Sequence, residues 1–164
     1  MIETLRIVPD DLTGAAVLSL LQLHLDEMHQ WSPACKVHAM PAERLRQPDV
    51  AFFSAWAAEG DGEVLAGCGA IKHLEAQHGE LKSMRVAPAY RGTGVGRAIL
   101  LHLLEEARSR AYTRVSLETG RPEAFAPAQR LYLGHGFVEC PPFGDYVSDE
   151  FSMCMTLDLA NRDD

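Results

Sequence analysis

The run Arg91-Gly92-Thr93-Gly94-Val95-Gly96 constrains this chain most. It follows a strand-like stretch, residues 81–86, and opens a helix-like one, residues 97–110. Glycine at alternate positions strips side chains from a strand-to-helix turn, so backbone N–H groups can approach a ligand closely. The helix behind it leaves its first N–H groups unpaired and carries partial positive charge at that end. Such a turn is a socket for phosphate or pyrophosphate. Spacing narrows the choice. A dinucleotide fingerprint needs glycine where Arg97 stands, and a P-loop needs a Gly-Lys-Ser/Thr ending that this chain lacks. What remains is Arg-x-x-Gly-x-Gly, completed by Arg91, Gly94 and Gly96. The competing reading is a glycine-rich turn that holds nothing.

A chain of 164 residues is long enough to close a hydrophobic core, and one domain spanning 1–164 is expected. A net charge of −8 argues against a nucleic-acid or anionic-membrane surface and favours a small acceptor. Cys35, Cys68, Cys140 and Cys154 have no zinc or redox spacing, and no metal is expected. Cys68 and Cys154 lie in strand-like runs and read as small buried hydrophobes. Residues 1–10 lack the apolar core of a signal peptide, so a cytoplasmic setting is expected.

Periodicity supplies the elements. Residues 2–8 read as a strand, and Asp10 or Asp11 as the cap of a helix carrying Val17, Leu21, Leu25 and Met28. A short helix over 41–47 precedes strands over 50–58 and 63–74, joined through Gly60-Asp61-Gly62. Gln77-His78-Gly79 reads as a turn into a strand over 80–86. Val95, Ile99, Leu103 and Ala107, flanked by Leu100 and Leu104, form the apolar stripe of the next helix. A strand over 113–119, a helix over 127–136, a short extended piece over 137–140 and a strand over 151–158 complete the order. Hairpins followed by crossover helices predict an α/β (α+β) mixed, mostly antiparallel sheet of six to seven strands with helices on both faces.

Two motifs carry a family likeness. Met84-Arg85-Val86-Ala87-Pro88-Ala89-Tyr90 with the glycine run resembles the fourth strand and coenzyme A loop of the GNAT superfamily of N-acetyltransferases. Ala128-Gln129-Arg130-Leu131-Tyr132-Leu133-Gly134-His135-Gly136-Phe137 is similar to that family's helix ending in Tyr-x-x-x-Gly-Phe. The resemblance covers nearly the whole chain and points to small bacterial members with poorly defined acceptors. It implies acetyl-CoA as co-substrate. Met84, Arg85 and Val86 then offer strand backbone to the pantetheine arm, and Arg91, Gly92, Thr93, Gly94, Val95, Gly96 and Arg97 surround the pyrophosphate. It implies Tyr132 as the acid that protonates the departing sulfur. A phenol near ~10 and a thiol near ~8.5 need little tuning for that transfer. The other reading of Tyr132 is a core tyrosine on an amphipathic helix. Phe125 stands where many members carry an asparagine, and no role passes to it.

Glu80, eleven residues before Arg91, occupies the place of the base in several GNAT enzymes, with Glu118 in reserve. An amine with pKa near ~10.4 is only about one part in a thousand neutral at pH 7, so a base is useful. A solvated carboxylate beside Gly79 is the plain alternative. For the acceptor site, Asp145 can pair with an ammonium while Phe143 and Tyr146 pack against its body. Thr119, Met28, Trp31, His38 and Trp56 are further wall candidates, and His38 and His73 also read as merely packed or solvated histidines. The expected activity is direct acetyl transfer from acetyl-CoA to a small-molecule or peptide amine, with no nucleic acid or membrane partner. Family habit adds a homodimer. The rival is a non-catalytic acyl-CoA-binding sensor, which needs the glycine socket but neither Tyr132 nor a base.

Overall fold

The computed structural model describes residues 5–31, 41–144 and 146–159. The chain runs β1 (Leu5–Pro9), α1 (Ala15–Trp31), α2 (Ala42–Leu45), β2 (Val50–Glu59), β3 (Gly62–Glu75), β4 (His78–Val86), α3 (Val95–Ser109), β5 (Arg114–Gly120), α4 (Ala126–Gly134), β6 (Val138–Cys140) and β7 (Ser152–Asp158). The strands form one seven-stranded sheet in the order β1-β2-β3-β4-β5-β7-β6. The β4–β5 pair is parallel and the others are antiparallel, so the expected mixed sheet is found. No helix among the described residues is long and apolar enough to cross a membrane.

Each face of the sheet buries a separate core. The α3 stripe of Val95, Ile99, Leu103 and Ala107, with Leu100 and Leu104, packs with Phe53, Val115, Leu117 and Met155. On the other face Val17, Leu20 and Leu21 of α1 and Leu45 of α2 cover Phe52, Cys68 and Ala70. Cys68 and Cys154 are fully buried.

Two local expectations are corrected. Asp10 and Asp11 do not cap α1: their carboxylates accept from the Leu12 and Thr13 amides at 2.8 and 3.2 Å, in tight turns ahead of the helix. Gly79 is not a turn residue. It sits inside β4, opposite His73 on β3 and Val115 on β5. A Cβ there would lie 2.7 Å from the Tyr112 ring, so glycine is needed for close approach.

Two irregularities of β4 position the site. Between the pairs Cys68–Arg85 and Ala70–Lys82, β3 has one residue and β4 has two, Ser83 and Met84. This is a β-bulge, which bends and twists its strand, and Ser83 takes the left-handed φ of 55°. The parallel ladder joins only His78, Gly79 and Glu80 to Arg114, Val115 and Ser116. Past Glu80 the strands diverge: β4 stays with β3, and β5 stays with β7.

Leu103 is fully buried under the sheet. Leu103→Ala is expected to lower the unfolding free energy by about 2–5 kcal/mol, read from urea denaturation midpoints.

Candidate active site

A cavity of about 780 Å³ opens where β4 and β5 part. The start of α3 forms one end. Gly94, the residue before the helix, has φ +93°, a backbone state that favours glycine. The first bond of the helix runs from the Ala98 amide to the Gly94 carbonyl at 3.1 Å. The amides of Val95, Gly96 and Arg97 therefore have no carbonyl one turn behind them, and they crown a helix N-terminus. Arg91, Gly92, Gly94, Gly96 and Arg97 line the cavity. Thr93 and Val95 do not present side chains to it: the Thr93 hydroxyl turns back to the Tyr90 carbonyl, and Val95 is buried in the core.

Tyr132 of α4 faces the same cavity from the α3 side of the sheet. Its ring packs against Phe137 with centroids 5.8 Å apart, and its hydroxyl points at the Met84 sulfur, 3.9 Å away. Burial, reinforced by Glu118, pushes the phenol up to about 12. The sequence expectation of an unperturbed phenol is revised: the hydroxyl holds its proton firmly, and it stands protonated at neutral pH. Phe125 is buried and meets Trp31 edge to face at 5.4 Å.

Glu80 is not the solvated carboxylate that a turn would give, because only 3% of it is exposed. Its Oε2 accepts from the Tyr146 hydroxyl at 2.5 Å and from Lys82 Nζ at 3.2 Å. Lys82 Nζ also donates to the Tyr146 oxygen at 2.6 Å, which closes a triangle. Burial and the adjacent Glu80 hold the Tyr146 phenol far above its ordinary range. Glu80, Lys82, Tyr146, Glu118 and Thr119 all line the cavity. So do Met28 and Trp31 of α1.

Other candidates fall elsewhere. Phe143 packs beside His78 and Tyr146, at 6.0 and 5.1 Å between centroids, behind the cavity wall. Trp56 belongs to the core under α1 and donates to Ser54 Oγ at 2.8 Å. His73 Nδ1 shares a 2.7 Å hydrogen bond with the Tyr112 hydroxyl. Asp145 and His38 lie outside the described residues.

Sequence reasoning missed the charge cluster on α1 and β4. Arg85 turns its side chain away from α3 and pairs through Nη2 with Glu27 Oε1, which Arg91 Nη2 approaches at 3.5 Å. Beside them His24 is pushed down to about 4, chiefly by burial and then by the Arg85 charge. Glu27 follows Arg85 by no motif. Only the four-residue step from Glu27 to Trp31 and the three-residue step from His24 to Glu27 hint at a shared helix face.

One cavity thus brings together the bare start of a helix and a buried phenol. Residues 17–137 match the family described as Acetyltransferase (GNAT) family. The chain belongs to the GNAT family and is an acyltransferase, which sets aside the non-catalytic sensor. It is 47% identical over 150 residues to an uncharacterized N-acetyltransferase of Bacillus subtilis (strain 168), YsnE, covering 92% of this chain and 97% of that one. Among solved structures it resembles a putative acyl-CoA N-acyltransferase of Klebsiella pneumoniae, with TM-score 0.72, 27% identity, and 94% and 97% of the two chains covered. A GNAT acetyltransferase of Elizabethkingia anophelis, solved with acetyl-CoA bound, shares the fold at TM-score 0.65 and 15% identity, over 96% and 99% of the chains.

His24 lies well below its ordinary 6.5 when folded, so the unfolded chain binds the extra proton first. Its contribution to stability is full above about pH 6.5 and is lost as pH falls toward about 4, up to about 3 kcal/mol. His24→Gln is expected to flatten that part of the stability profile, measured by urea unfolding at several pH values.

Proposed function

We propose that this protein transfers the acetyl group of acetyl-CoA to the primary amine of a small molecule or peptide by direct attack on the thioester. The observation that carries the reading is the opening of one cavity onto both the unpaired amides of α3 and the Tyr132 hydroxyl. The residues present suit the co-substrate. Amides at a helix start and the bare backbone of Gly92 and Gly94 fit a diphosphate, and the parted β4–β5 edges fit an extended amide-bearing arm. Acetyl-CoA supplies the acetyl group in activated thioester form.

The chain's own residues then divide the work. Met84 and Val86 offer backbone along β4, and Arg91 and Arg97 add charge near the cradle. Holding both reactants in one water-poor cleft supplies much of the acceleration. Glu80 accepts a proton from the acceptor amine, directly or through water, with its carboxylate fixed by Lys82 and Tyr146. Tyr132 delivers its proton to the sulfur as the amine bonds to carbon. No cysteine among the described residues takes part, and the step is a single displacement.

Tyr132→Phe is expected to reduce kcat by roughly 10²-fold while the acetyl-CoA dissociation constant stays within about threefold. Stopped thiol-release assays and calorimetry read the two quantities, and unchanged turnover removes Tyr132 from the acid role. Gly94→Glu, which adds a side chain at φ +93° and a like charge to the cradle, is expected to abolish acetyl-CoA binding in the same calorimeter. Initial rates should give intersecting lines, and a ping-pong pattern defeats direct attack.

A further inference from the structure

Buried polar groups in folded proteins are nearly all hydrogen-bonded, and leaving one unpaired is costly. Among the described residues, His24 Nδ1, Ser83 Oγ, Arg85 Nε, His102 Nε2 and Ser152 Oγ are buried side-chain atoms with no such partner. His24, Ser83 and Arg85 all line the same cavity, from α1 and from β4. The side chain of Arg85 is only 8% exposed. Among the described residues Glu27 is its one ion-pair partner, and Arg91 leans on the same carboxylate. Of the two guanidinium groups, Arg85 is the buried one, and Arg91 is half exposed. His24, held neutral at pH 7, adds a hydrogen-bonding ring nitrogen without further charge.

An anionic oxygen ligand in the cavity offers this wall the acceptors that it lacks. A carboxylate matches the planar guanidinium, which binds it through charge-assisted hydrogen bonds. Arg85 follows directly on Met84, whose sulfur lies 3.9 Å from the Tyr132 hydroxyl, and a strand rises only ~3.3 Å per residue. Arg85 and Tyr132 therefore reach one cavity from opposite faces of the sheet, on either side of the β4 backbone. Met28, Trp31 and Phe125 line the remainder with apolar surface.

We infer that the acceptor is an α-amino carboxylate with an apolar or aromatic side chain, its carboxylate on Arg85 and its amine directed at the thioester. This rests on the acetyl-transfer reading above. In the step, the amine nitrogen bonds to the acetyl carbon as the carbon–sulfur bond breaks. Of the two protons that the ammonium loses, one passes through Glu80 to solvent, and the sulfur receives one proton from Tyr132, which the second replaces. Arg85 is a specificity residue in this scheme, not an acid or base.

The test offers the full chain and acetyl-CoA to leucine, methionine, phenylalanine and tryptophan, each beside its carboxamide and its decarboxylated amine, with thiol release as readout. At least one free amino acid is expected to exceed both of its analogues in kcat/KM by about tenfold to a hundredfold. Arg85→Gln is expected to erase that preference, slowing the amino acid by a similar factor. The amide rate should fall by a clearly smaller factor than the amino-acid rate. Because the comparison of acceptors uses the unaltered protein, it stands even if Arg85→Gln fails to fold. Amides or simple amines turned over as well as the acids overturn the inference, as does an equal loss for both in Arg85→Gln. Acetyl-CoA that binds while no amino acid is acetylated, or bound by calorimetry, also overturns it and leaves the transfer reading standing. Failure to bind acetyl-CoA at all defeats the transfer reading itself.

Discussion

The early end of the β4–β5 ladder is the constraint on which the other features of the site depend. Parallel strands in a sheet normally pair along their length, each backbone hydrogen bond contributing about 1 kcal/mol net. Here pairing stops at Glu80 and Ser116, although both strands continue for several residues. The bulge at Ser83 and Met84 bends β4 while its other edge remains joined to β3, so the sheet opens without losing β4. The cleft is thus a fork in the sheet, floored by strands that are fixed on their outer edges. A fork of this kind exposes main-chain donors and acceptors along both prongs, and it does so on a rigid element and not on a mobile loop.

The groups around the fork are held by the core on the α3 side. Val95, Ile99, Leu103 and Ala107 anchor α3, which fixes the direction of the amides at its start. Tyr132 is tied to the same core through Phe137, and the Phe137 amide bonds back to the Tyr132 carbonyl at 3.1 Å. The start of α3 and the phenol therefore share one packed layer, and a change in that core moves both. The second layer, α1 over Phe52, Cys68 and Ala70, governs the other wall in the same way and carries Glu27 and His24 on a helix anchored by Val17, Leu20 and Leu21.

What the sequence discloses follows from the range of the interactions involved. The glycine run and the helix of Tyr132 are legible because each feature is local: a φ of +93° at Gly94, and one helix ending at a Gly-Phe turn. The fold is legible because the α3 stripe and the alternation of β7 are periodic over many residues. The Glu80–Lys82–Tyr146 triangle is not, since it joins residues 66 apart in sequence through a loop whose direction no pattern specifies. Gly79 misleads for a related reason. Its missing side chain serves the Tyr112 ring across the sheet, while the residue types around it, Gln77 and His78, look like a turn. Phe143 and Tyr146 are equivalent in composition, yet only Tyr146 reaches the cavity.

The bulge also decides which chemistry meets which. A regular strand would set Glu80, Lys82, Met84 and Val86 on one face and Leu81, Ser83 and Arg85 on the other. One extra residue breaks that alternation. Leu81 packs with the α3 core, Met84 approaches Tyr132, and the space beside Gly96 belongs to Val86. Glu80 and Lys82 meet Tyr146, and Arg85 meets Glu27 on α1. Without the bulge, Arg85 would drive a charge into the apolar layer under α3, a cost of several kcal/mol for an unpaired ion. With it, the charged side chains of β4 collect on the side of α1 and Tyr146 and the apolar ones on the side of the phenol and α3. The bulge that widens the cleft therefore also sorts its two walls, and the spacing of Lys82 and Arg85, three residues and not two, is the trace it leaves in the sequence.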